Sequence, residues 1–159
     1  MLHYRGFGGS SGKPSEEALH EDGLALFDKV HAEHADVTVV GRSLGSGVAA
    51  RLASERPISR LVLVTPYNSL QELAARQYRY FPVSWLLKDK FESWRYAPRI
   101  TAPTLIVAAE HDEMIPRAST EALYRRFLPG IATMKSLHGV GHNSISGSPE
   151  YLPLLTGLP

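Results

Sequence analysis

The chain has 159 residues, 43% of them hydrophobic, and a formal net charge of +1, a size and composition that exclude disordered, collagen-like and membrane-spanning classes. Its 17 basic and 16 acidic residues form no run of either sign, so neither nucleic acid nor an anionic membrane has an electrostatic footprint here; the absence of cysteine excludes disulfides, thiolate metal sites and a cysteine nucleophile. One core suffices, since a domain of this length buries roughly 70% of its unfolded surface, and without an apolar leader or a run of roughly 20 apolar residues the expected compartment is the cytoplasm.

In chain order, Gly6 to Gly12 is a glycine and serine turn cluster, and Pro14-Ser15-Glu16-Glu17 starts a helix with acids in its first turn. The spacing of Leu19, Leu24, Leu26, Phe27 and Val30 roughly follows a helical period and predicts a helix from Ser15 to Ala35. Val37-Thr38-Val39-Val40-Gly41 is a β-branched strand ending in glycine, followed by a small-residue helix over Leu44 to Glu55 that stops before Pro57. Leu61 to Val64 and Thr104 to Ala108 are apolar on both faces, as parallel strands covered by helices are, and Thr133 to Leu137 is a weaker strand. Helical stretches at Leu70 to Leu87 and Ser119 to Phe127 complete an alternation of strand and helix. It predicts an α/β fold: one domain over residues 1–159, a mostly parallel sheet with helices on both faces.

Gly41-Arg42-Ser43-Leu44-Gly45 matches G-x-S-x-G and falls between a strand and a helix, the setting in which that pattern presents a nucleophile on a sharp turn. Average frequencies of about 7% for glycine and for serine give the bare pattern by accident in about 5% of chains this long; the strand-turn-helix context adds the specificity. Glycine is needed on either side because strand and helix approach too closely there for side chains. A serine hydroxyl is a poor nucleophile near neutral pH and requires a base, itself oriented by an acid. Two loops at C-terminal strand ends offer them: Glu110-His111-Asp112-Glu113-Met114-Ile115-Pro116 and His138-Gly139-Val140-Gly141-His142-Asn143. Spacing alone leaves Glu110, Asp112 and Glu113 open as the acid and His138 and His142 open as the base.

These residues resemble the α/β-hydrolase superfamily, in particular its bacterial bem46-like and dienelactone-hydrolase-related serine hydrolases. Tyr4 to Gly12 looks like the loop after that family's fourth strand, Gly41 to Gly45 like its nucleophile elbow, and Pro66 to Leu70 like the segment after its sixth strand. Ala102 to Ile106 with Asp112 and Ile115-Pro116 resembles the acid loop, and Gly141-His142-Asn143 the histidine loop. The resemblance implies Ser43 as nucleophile, Asp112 as acid, His142 as base and the Leu44 N–H as one half of an oxyanion hole, with no cofactor and no metal.

The same resemblance implies about three further strands before the Tyr-Arg-Gly loop, one carrying the second oxyanion donor. A chain lacking them is an N-terminally incomplete α/β-hydrolase domain. It is expected to turn over slowly, since one lost donor costs roughly 100- to 1000-fold, and to leave an apolar sheet edge open to dimerisation. Eight of the 14 aromatic residues lie between Tyr67 and Tyr96; they form either a small lid over residues 67–98 or, the reading we favour, packing for helices on the sheet, and Met114 with Ile115 reads likewise as a packing anchor. The expected function is hydrolysis of a small-molecule ester or thioester, with a serine peptidase and a non-catalytic binding domain as alternatives.

Overall fold

The computed structural model describes residues 11–77 and 88–157. The Tyr4 to Ser10 part of the expected fourth-strand loop, and Tyr78, Phe81 and Trp85 of the aromatic segment, lie outside the described residues.

Helix α1 (Glu16–His31) begins where the sequence places it: Ser15 is extended and its side chain accepts the Ala18 N–H, while Glu16 and Glu17 face the positive helix end. It stops short of the expected Ala35. Strand β1 (Thr38–Arg42) leads through Ser43 into α2 (Leu44–Glu55), then come β2 (Arg60–Val64) and α3 (Leu70–Gln77). Single turns at Ser93–Arg95 and Ala97–Arg99 precede β3 (Thr104–His111), α4 (Arg117–Tyr124), β4 (Ala132–Gly141) and α5 (Tyr151–Thr156). All strand pairings are parallel, in the order β1-β2-β3-β4, with β1 and β4 at the two edges among the described residues.

Because side chains alternate along a strand, β2 sends Leu61 and Leu63 to one face and Val62 and Val64 to the other, all four fully buried. The first face meets Phe27 of α1, Ala49, Ala50, Leu52 and Ala53 of α2, Leu123 of α4, and Phe127 three residues beyond that helix. The second meets Ile145 and, through Tyr151, Leu154 and Leu155, α5. This is the covered parallel sheet that the two-sided apolar runs require.

Two further elements differ from expectation. Strand β4 runs on to Gly141, so His138 belongs to a strand instead of a loop, because β3 itself continues to His111 and pairs with it across an irregularity at Ala109 to His111. Helix α5 had not been foreseen: its six residues, with a proline inside, offer no helical period to read. Along 67–98, Tyr67 and Phe91 are buried together with Leu19, Val48 and Ile115, and Ala97 enters the main core.

Candidate active site

The C-terminal ends of the parallel strands form one rim, and the loops leaving β1, β3 and β4 meet there. Ser43 sits at φ 50°, ψ −122°, a conformation that costs a non-glycine residue about 1–3 kcal/mol and persists only where its surroundings impose it. Its N–H donates to the Val64 carbonyl of β2 at 3.0 Å, and its carbonyl accepts from the N–H of Ser46 at 2.9 Å and the hydroxyl at 2.6 Å. Gly41 explains the compression: a Cβ there would lie 2.5 Å from the Ala49 Cβ and 2.6 Å from the Gly45 carbonyl oxygen. At the end of the neighbouring strand Thr65 also has positive φ, 45°, and is buried, an uncommon state for a β-branched residue that places backbone strain on two adjacent strand ends.

Leu44 opens α2, so its N–H is one of those with no acceptor inside the helix. On the β3 side, the Asp112 carboxylate accepts the Met114 N–H at 3.0 Å and the Ile115 N–H at 2.7 Å through Oδ1. Both carboxylate oxygens lie 3.0 Å from His142 Nδ1, and His142 Nε2 lies 3.0 Å from Ser43 Oγ. The His142 and Asp112 side chains are only 4% and 7% exposed, so these contacts act in a poorly solvated setting where each is stronger than in water. Asp112 already serves as an acceptor for two amides, which makes Nδ1 the donating nitrogen; a neutral imidazole then leaves Nε2 to accept the Ser43 hydroxyl proton.

The competing residues are accounted for by separate partners. Glu110 accepts the Gly139 N–H at 2.8 Å and faces His138 Nδ1 at 3.4 Å; the Gly139 amide, then His138, hold its carboxyl below the usual carboxylate range. His138 itself is 83% exposed. Glu113 accepts the main-chain N–H of His142 at 3.2 Å, and its own N–H followed by that of His142 lowers its pKa against the smaller opposing effect of burial. Gly141 makes room for it, since a Cβ there would stand 2.7 Å from Glu113 Oε2. The structure therefore brings Ser43, Asp112 and His142 together and sends Glu110 and His138 elsewhere. The sequence reading missed Glu113 as a main-chain holder and Arg42 as anything beyond a pattern filler. The glycine before His142 was the available signal for the first; nothing in the spacing marks the second.

No family model matches this chain. A crystal structure of MGS-M2, an alpha/beta hydrolase enzyme from a Medee basin deep-sea metagenome library, superimposes with a TM-score of 0.71 at 18% identity, covering 94% of this chain and 74% of that one. The chain has the α/β-hydrolase fold. A monoacylglycerol lipase of Paleococcus ferrophilus shares this fold with a TM-score of 0.65 at 19% identity over 95% of this chain and 79% of its own. In sequence, the chain is 35% identical over 150 residues to an uncharacterized protein of Mycobacterium tuberculosis, covering 90% of this chain and 52% of that protein. It is 34% identical over 176 residues to the lysophosphatidylserine lipase ABHD12 of Mus musculus, covering 92% and 44%. The chain thus spans about half the length of the curated relatives it matches. Within that fold Ser43 occupies the turn between β1 and α2. Among the described residues no helix is long and apolar enough to cross a membrane.

Proposed function

We propose that this chain is a serine hydrolase of the bem46-like branch, cleaving carboxylic esters or thioesters through an acyl-enzyme on Ser43. The observation that carries the reading is the unbroken hydrogen-bonded series from Asp112 through His142 to Ser43. In the first step Ser43 Oγ bonds to the substrate carbonyl carbon as its proton passes to His142 Nε2, and the carbonyl electron pair moves onto oxygen beside the Leu44 N–H. Collapse expels the alcohol or thiol, which takes the proton from His142 and leaves an acyl group on Ser43. Water then gives a proton to His142, attacks the acyl carbon and releases the acid as the proton returns to Ser43.

An apolar acyl group fits the surroundings: Leu44, Leu70 and Leu73 pack beside the elbow with buried Tyr67 and Ile115, and Met114 on the acid loop is 58% exposed. Two of the relatives are named as lipases, which supports the same class. The test is covalent labelling with a fluorophosphonate, which reacts with serines activated in this way. Wild-type protein should form one adduct, on Ser43, and Ser43→Ala none while melting as a folded protein. A folded wild-type preparation that takes up no probe sinks the proposal.

A further inference from the structure

Strands β1 and β4 are the two edges of the described sheet, so the His142 loop, which leaves β4, must fold back over β2 and β3 to reach Ser43. The contacts of the imidazole ring fix its orientation only if the main chain carrying it is fixed as well. Its N–H is held by Glu113. Its carbonyl is held from the opposite direction: Arg42 Nη2 donates to the His142 carbonyl at 3.0 Å and lies 3.4 Å from that of Asn143.

Arg42 is the last residue of β1 and the covalent neighbour of Ser43. Any displacement of the turn carries the guanidinium with it, and the guanidinium carries the histidine main chain. The distance between Ser43 Oγ and His142 Nε2 is thereby tied to a single short segment, across 99 residues of sequence. Arginine suits the task because its planar group offers several N–H donors in fixed directions and can serve two successive carbonyls, whereas a lysine ammonium is a point charge on a flexible stem. We infer that Arg42 is a positioning residue that locks the His142 main chain to the nucleophile turn and so sets the Ser43–His142 contact. The inference builds on the hydrolase reading, in which a misplacement of about 1 Å at the reacting groups costs about 100-fold in rate.

The experiment compares the full chain carrying ¹⁵N-labelled histidine as wild type, Arg42→Met and Arg42→Lys. Two readouts are taken: the low-field Nδ1 proton resonance of His142, assigned by its loss in His142→Asn, and the rate of fluorophosphonate labelling over a range of probe concentrations. Arg42→Met should broaden or lose the resonance and slow labelling about 10- to 100-fold, through the maximal inactivation rate and not the half-saturating probe concentration. Arg42→Lys should fall between. A purely structural role would lower the melting temperature and leave the resonance of the folded protein sharp, which overturns the inference, as does wild-type labelling by Arg42→Met. Should Arg42→Met not fold, Arg42→Lys decides by the same readouts, intermediate values supporting the inference and wild-type values overturning it. If wild-type protein does not label at all, the hydrolase reading fails, while the resonance comparison still decides the role of Arg42.

Discussion

Two regions of β1 lie within a few residues of each other and are organised differently. At its C-terminal end, Ser43, His142 and Asp112 each hold named polar partners, and even the main chain of His142 is bonded through both N–H and carbonyl. Along its flank, Val40 is 46% exposed and Leu26 of α1 is 40% exposed, and a groove of about 410 Å³ lined by apolar residues of α1, β1 and α2 runs beside the strand. The first region is specified by direction and distance, so small displacements matter there. The second is specified by little more than apolar area, so side chains can be exchanged with modest consequence.

Substitutions should expose that contrast. The largest effect is expected from Gly41→Ala, whose added methyl meets main-chain atoms of α2 at 2.6 and 2.8 Å. Overpacking of this kind costs about 1–3 kcal/mol or more, and urea unfolding should record that loss together with loss of probe labelling. A rise in stability would mean that helix and strand can separate at no cost.

A smaller effect belongs to Glu113. Its folded pKa is lowered, so its contribution is complete above the ordinary glutamate range and disappears as pH falls through the depressed folded value. Glu113→Gln keeps an acceptor for the His142 N–H but cannot titrate. Its urea midpoint should therefore decline less than that of wild type between neutral and acid conditions, and parallel pH profiles would show that the hydrogen bond is energetically silent.

The smallest effect is predicted on the flank. Val40→Lys should leave unfolding free energy within about 0.5 kcal/mol of wild type, while light scattering at high protein concentration falls, because a charged side chain blunts an apolar strand edge. A destabilisation several times larger would place Val40 in a covered position.

The contrast also explains what could be read from the chain alone. The strand and helix around Ser43 were legible because their signals are local: a β-branched run, glycines two residues either side, a small-residue helix, and a proline that ends it. The choice between Asp112 and its neighbours was not local. Three carboxylates within four positions differ only in which partners the fold delivers, Gly139 and His138 to Glu110, the imidazole to Asp112, the His142 amide to Glu113. The resemblance to a known family favoured Asp112 and His142 where spacing could not. Arg42 was illegible because its partner is a backbone carbonyl, and carbonyls leave no trace in a sequence. The extension of β4 to Gly141 depended on register with β3, another pairing that no single segment encodes.

The order in which the strands lie has a temporal side. Among the described residues, neighbours in sequence are neighbours in the sheet, so these four strands can be added one after another without leaving gaps. Ser43 follows the first of these four strands and His142 comes 99 residues later, directly after the fourth. Until then the serine hydroxyl has no imidazole within hydrogen-bonding distance. On the serine-hydrolase reading, the hydroxyl of a nascent chain would gain its base only once the fourth of these strands has docked.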